Sequence, residues 1–65
     1  MQKTWKYREF VALLTGNGYI LARTRGDHRT YRNTTGKSIT IPYNGGEINR
    51  MMARRLIKEN GLIAI

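Results

Sequence analysis

The order of hydrophobic patterns along the chain constrains its fold more strongly than any other feature. Two segments have the apolar spacing of an amphipathic helix and lie near the two ends, from about Thr4 to Thr15 and from about Asn49 to Asn60. Between them, three shorter segments have strand-like patterns: Tyr19 to Arg25, His28 to Asn33 and Lys37 to Ile41. The sequence therefore predicts the element order α-β-β-β-α.

Residues typical of tight turns separate the three strand-like segments. Gly26 and Asp27 fit a type II′ hairpin turn, because glycine adopts the positive φ that the first central position requires. Residues 34–36 form a second turn, and Pro42 ends the third strand because it has no N–H for the ladder. A flexible loop is predicted over residues 43–46.

The helix ends also carry local signals. Thr4 and Asn49 are the predicted N-caps, while residues 16–18 and Gly61 provide the predicted helix ends. The expected buried side of the second helix consists of Met51, Met52, Leu56 and Ile57.

These elements predict a two-layer α+β fold, in which a three-stranded antiparallel sheet carries both helices on one face. If Tyr31, Ile39 and Ile41 face the helices, strand alternation turns His28, Thr30 and Arg32 to the open face. A chain of 65 residues is expected to form a single domain over residues 1–65.

The charge balance indicates a polyanionic partner. Lys and Arg number 12 against four acidic residues, which gives a net charge of +8, and eight of the cations are Arg. Arginine binds phosphate through a planar, two-pronged set of donors. Nucleic acid is the first candidate and an anionic membrane the second. No apolar run is long enough for a signal peptide or a membrane span, so the cytoplasm is the expected location.

His28 is the only histidine and the leading candidate for a catalytic residue. An imidazole can take up and return a proton near neutral pH, and RNA carries its own nucleophile in the 2′-hydroxyl group. The alternative is a polar strand residue with no special role. Tyr31, Lys37 or an arginine could act as a second proton-transfer group, and the sequence does not choose among them.

Five cations cluster around the two predicted hairpins: Arg23, Arg25, Arg29, Arg32 and Lys37. With Tyr31 and Tyr43 nearby, they are interpreted as a phosphate-binding platform with possible base stacking. The alternative is a solvated sheet edge whose charges oppose aggregation. A further basic stripe consists of Arg50, Arg54 and Lys58. It fits a phosphate-binding surface and a merely solvated helix face equally well.

No metal or cofactor is expected. One histidine and no cysteine cannot supply the three or four protein ligands usual for zinc, and the four carboxylates are scattered along the chain.

Several blocks of the sequence resemble the HicA family of toxins, the small mRNA interferases of toxin–antitoxin systems. The first is Thr15-Gly16-Asn17-Gly18-Tyr19, which is similar to the family's helix end. The second, Arg23-Thr24-Arg25-Gly26-Asp27-His28-Arg29-Thr30-Tyr31, is similar to its Arg-x-x-Gly-Ser-His-x-x-aromatic signature. The third, Ile39-Thr40-Ile41-Pro42, resembles its Val-Thr-Val-Pro strand. The closing helix from Glu47 to Leu62 also resembles that of the family.

This resemblance implies a fold like that of a double-stranded-RNA-binding domain and RNA cleavage that depends on His28. It also implies a HicB-type antitoxin that covers this histidine. Gly26 matches the family's glycine and is included in the expected phosphate-binding site. Asp27 departs from the pattern, because the family usually has serine there, and its carboxylate could compete with phosphate.

The resulting hypothesis is a metal-independent endoribonuclease that acts on mRNA, with His28 as general base and with Arg25 and Arg29 at the scissile phosphate. The main alternative is a non-catalytic RNA-binding module on the same fold. A DNA-binding regulator is less favoured, because no second helix lies at helix-turn-helix spacing from the basic one.

Overall fold

The computed structural model describes residues 4–43 and 45–63 of the chain. In chain order the elements are β1 (Thr4–Lys6), α1 (Tyr7–Gly16), β2 (Ile20–Arg25), β3 (His28–Arg32), β4 (Ser38–Pro42), β5 (Glu47–Asn49) and α2 (Arg50–Asn60). The predicted α-β-β-β-α order is confirmed, and two short strands are added to it. Asn44, in the predicted loop 43–46, lies outside the described residues.

The main sheet is an antiparallel meander in the order β2-β3-β4. Its Tyr31, Ile39 and Ile41 belong to one hydrophobic cluster with residues of both helices: Phe10 and Leu14 of α1 and Ala53 of α2. Both helices therefore cover the same face of the sheet. This is the α+β arrangement that double-stranded-RNA-binding domains also have, as predicted.

A small second sheet, formed by β1 and β5, links the segments that directly precede the two helices. Trp5 pairs with Ile48, and the Trp5 ring packs edge-on against Phe10 with 5.5 Å between ring centroids. The prediction that the first helix begins at Thr4 is wrong, since Lys6 has an extended backbone and occupies the N-cap position without a capping side chain. Backbone pairing with β5 stabilises this segment as a strand.

Both ends of helix α2 lie where the sequence predicts them. The Asn49 side-chain oxygen accepts hydrogen bonds from the backbone N–H groups of Met51 (2.8 Å) and Met52 (3.3 Å). Gly61 follows the last turn with a left-handed backbone, φ 60°. Both predicted caps are confirmed.

The predicted buried side of α2 is wrong at one position. Met51 is 73% exposed, whereas Ala53 is fully buried and Leu56 and Ile57 pack against the core. Because Ala53, Leu56 and Ile57 are spaced three and four residues apart, they form one side of the helix, and Met51 lies on the opposite side. The small Ala53 side chain forms the centre of this packed side.

No helix within the described ranges is long and apolar enough to cross a membrane.

Candidate functional site

The hairpin that joins β2 to β3 determines where His28 lies. Arg25 and His28 are cross-strand partners, so the turn consists of Gly26 and Asp27 alone. Gly26 has a φ of 59°, and no other residue of this turn has a positive φ. This is the backbone requirement of the type II′ turn that the sequence predicts. His28 is therefore the first residue of β3, the central strand, and it is exposed.

Strand register divides the side chains between the two faces of the sheet. Tyr31 and Ile39 are paired and buried under the helices. Because successive strand residues point to opposite faces, His28, Thr30 and Arg32 point away from the helices, as predicted. We call this solvent-facing surface the open face.

The open face consists of three cross-strand rows. In the first row, Arg25 and Pro42 flank His28. In the second row, Arg23 and Thr40 flank Thr30. In the third row, Ile20 and Ser38 flank Arg32. Directly paired residues have Cβ atoms roughly 4.5–5.5 Å apart. The Arg25 side chain is consequently the cation nearest to His28 along the register.

The middle row contributes hydroxyl groups that the sequence analysis did not single out. The Oγ1 atoms of Thr30 and Thr40 are 2.9 Å apart and form a hydrogen bond. Strand pairing of two threonines was the available signal, but it depends on register, which the sequence alone does not determine.

Two of the predicted phosphate-binding cations lie at the other end of the sheet. Arg32 is four residues from His28 on β3, which corresponds to about 13 Å at roughly 3.3 Å per residue. Its Nε atom donates a hydrogen bond to Ser38 Oγ at 3.4 Å. Lys37 belongs to the β3–β4 turn, where its backbone N–H donates to Asn33 Oδ1 at 2.9 Å. These cations extend the basic surface but do not adjoin His28.

Arg29 does not share a face with His28. Its guanidinium carbon lies 4.4 Å from the centroid of the Tyr43 ring and 5.3 Å from that of Tyr7. The two rings themselves meet edge-on at 4.8 Å. The structure thus places Arg29 in a cation–π cluster under the sheet, and it does not bring Arg25 and Arg29 together at one phosphate.

The Tyr7 side chain is the more buried of the two aromatic side chains in this cluster. Its hydroxyl is buried and has no hydrogen-bond partner among the described residues. Burial raises the pKa of the Tyr7 hydroxyl to about 12, because the phenolate form would lose its hydration. The ring therefore stays neutral, and its face attracts the Arg29 cation.

The loop after β4 is tied to the β2–β3 turn. The backbone N–H of Tyr43 donates a hydrogen bond to the carbonyl oxygen of Asp27. Since Arg29 stacks on the Tyr43 ring, both the backbone and the side chain of Tyr43 contact the β2–β3 hairpin. These contacts hold the end of the sheet that carries His28.

The geometry also narrows the choice of a second proton-transfer group. Tyr31 is 5% exposed on the helix-facing side, and Lys37 lies in the distant turn. Arg25 is the neighbour of His28, but a guanidinium group does not lose its proton in proteins. Arg25 therefore suits charge stabilisation and not proton transfer.

The acidic residues are almost absent from the open face. Glu9, Glu47 and Glu59 lie on α1, β5 and α2, and Asp27 alone lies beside the His28 row. Within the described part of the chain, no three His, Asp or Glu side chains come together as a metal site. The open face thus offers an exposed imidazole among cations and hydroxyl groups.

A comparison with protein families identifies the chain. Residues 7–62 match the family described as the HicA toxin of bacterial toxin–antitoxin systems, and this range runs from the start of α1 to just past α2. No curated protein matches the chain. The matched range includes the whole main sheet, both helices and His28. The chain therefore belongs to the HicA toxin family.

Proposed function

We propose that this toxin is an endoribonuclease that cleaves mRNA, with His28 as its catalytic residue. The observation that carries the proposal is the position of the only histidine. It is exposed on the central strand, next to Arg25 and on a face with few carboxylates. An RNA strand on this face would meet a proton acceptor and a cation at the same point.

The proposed reaction uses the 2′-hydroxyl of the RNA as nucleophile. His28 removes its proton, and the 2′ oxygen attacks the adjacent phosphorus. The bond from phosphorus to the 5′ oxygen then breaks, and that oxygen takes up a proton from water. The products are a 2′,3′-cyclic phosphate and a 5′-hydroxyl, and the imidazolium releases its proton to solvent. No metal is needed, because RNA supplies the nucleophile.

Arg25 is proposed to bind the scissile phosphate and to stabilise the charge that develops on it. Gly26 supports this role, because a Cβ atom at this position would find no atom within 4 Å, so the backbone of the turn is open to a ligand. Arg23 would hold a flanking phosphate on the same face, and Arg32 would contact the RNA farther along it. Arg29 is left out of this set, since its guanidinium stacks on Tyr43.

Family membership implies an antitoxin partner. We propose a HicB-type protein that binds over His28 in the cytoplasm and blocks RNA access. The net charge of +8 favours an acidic contact surface on that partner.

Induced expression in a bacterium tests this function. The wild-type chain is expected to arrest growth and deplete intact mRNA, while His28→Ala does neither at equal soluble levels, because the proton acceptor is lost. Arg54→Ala is the matched control, since it removes an exposed cation from α2, in the helical layer. It is expected to behave as the wild type does.

Two outcomes would contradict the proposal. If His28→Ala is as harmful as the wild type, RNA binding without cleavage becomes the better account. If the wild-type chain leaves growth and mRNA unchanged, the toxic ribonuclease activity itself is wrong.

A further inference from the structure

A cavity of about 290 Å³ lies at the end of the open face opposite to His28. Six residues line it: Gly18, Ile20, Ala22, Arg32, Asn33 and Thr34. Its walls combine the Ile20 side chain, which is 69% exposed, with the Arg32 side chain that pairs with it across the strands. None of the predicted catalytic steps uses this cavity.

We propose that this cavity binds a nucleobase of the RNA strand whose scissile phosphate lies at His28. The inference rests on the proposed ribonuclease function and adds a second binding position to it. The cavity would thereby set how many nucleotides the protein binds around the cleavage point.

The strand register connects the cavity to the catalytic end. Ile20 pairs with Arg32, and His28 lies two rows away on the same face, at about 13 Å. The row between them carries Arg23 and the hydroxyl pair of Thr30 and Thr40. One extended strand of RNA can therefore run from Arg25, past Arg23, to the cavity with a cation at each step.

The chemistry of the walls fits a base better than a phosphate. A base needs an apolar surface to stack upon, and the lining of the cavity, which includes Ile20 and Ala22, is almost entirely apolar. Because Arg32 Nε donates a hydrogen bond to Ser38 on β4, the guanidinium is directed away from Ile20 on β2, and the aliphatic part of Arg32 borders the cavity.

Two polar residues, Asn33 and Thr34, belong to the lining of the cavity. The Asn33 Oδ1 atom accepts hydrogen bonds from Thr35 and Lys37 within the β3–β4 turn, which fixes the Asn33 side chain. Its amide nitrogen and the Thr34 hydroxyl are then the groups available to contact the edge of a base.

Binding of RNA that cannot be cleaved tests the proposal. The probes are 2′-O-methyl RNA tetranucleotides and dinucleotides of mixed sequence, titrated into the wild-type chain. We expect the tetranucleotide to bind on the order of tenfold more tightly than the dinucleotide, because it reaches the cavity. Ile20→Ala is expected to weaken binding of the tetranucleotide and to leave binding of the dinucleotide unchanged, and the difference that remains reflects the flanking phosphate at Arg23.

Leu21→Ala is the matched control. Leu21 is the next residue of β2, is 51% exposed and pairs with Tyr31 on the helix-facing side. Its removal is expected to leave the difference between the two probes unchanged. As a readout that needs no variant, amide NMR signals of Gly18, Ile20 and Thr34 are expected to shift with the tetranucleotide and not with the dinucleotide.

The outcomes separate this proposal from the proposed function. Equal binding of both probes, or NMR shifts confined to the His28 end, would overturn the cavity proposal and leave the ribonuclease proposal intact. Binding of neither probe would overturn both. Shifts of the cavity signals with a protein partner alone would assign the cavity to that partner.

Discussion

At the scale of single residues, the two arginines that flank His28 have different surroundings although they are only four positions apart. Arg25 is on the open face beside His28, whereas Arg29 stacks on Tyr43 and Tyr7 under the sheet. The two arginines are alike in sequence, but one lies on the open face and the other packs against aromatic rings.

Arg29→Ala is expected to lower the free energy of unfolding by about 1–2 kcal/mol, through the lost cation–π contacts and packing. Urea denaturation measures this change. Arg23→Ala is the matched comparison, because Arg23 is exposed on the open face, and it is expected to leave stability within about 0.5 kcal/mol. If Arg29→Ala keeps full stability and loses RNA binding, Arg29 contacts phosphate and the cluster has been misinterpreted.

Much of the site could be predicted from the residues themselves. The position of His28 after a two-residue turn and its place on the open face follow from the Gly26-Asp27 pair and from strand alternation. The same alternation separates Arg29 from His28, so the placement of Arg29 at the phosphate conflicts with a pattern already present in the sequence. The sequence indicates that Tyr43 lies near these cations, but as a surface for base stacking, and Tyr7 comes from a distant helix and could not be predicted.

At the scale of elements, the sequence predicts the two helices and the three main strands and misses β1 and β5. Each missed strand has three residues, which is too short to show an alternating pattern. Their pairing depends on contact between distant segments, which local propensity does not report. The start of α1 shifts from Thr4 to Tyr7 for the same reason.

The end of α1 is linked to the C-terminal segment by one side chain. Asn17 Nδ2 donates to the carbonyl oxygens of Leu13 (2.7 Å) and Ile63 (2.9 Å), and its Oδ1 accepts from the Ile63 N–H at 2.9 Å. The sequence indicates a helix end here but not this long-range link.

Asn17→Ala is therefore expected to lower the free energy of unfolding by about 1–3 kcal/mol, because three hydrogen bonds are lost together. Thermal or urea unfolding measures it. Asn60→Ala is the control, since Asn60 makes one comparable side-chain bond, to the Leu56 carbonyl at 3.0 Å. An equal loss in both variants would show that the link to Ile63 does not stabilise the fold.

At the scale of the whole molecule, the two-layer fold divides the protein into two sides, and both carry cations. Both helices cover one face of the main sheet, and the open face carries His28 and arginines. The net charge of +8 predicts a polyanionic partner but not the surface that meets it. Register supplies that information, because it decides which cations share a face with the histidine.

The central claim is that His28 on the open face cleaves RNA through the 2′-hydroxyl. Analysis of the RNA ends left by the purified chain tests it most directly. We predict 2′,3′-cyclic phosphate and 5′-hydroxyl ends, formed at least ~10²-fold more slowly by His28→Ala, the effect expected for loss of a general base. Ends with a 3′-hydroxyl and a 5′-phosphate, or an undiminished rate in His28→Ala, would contradict it.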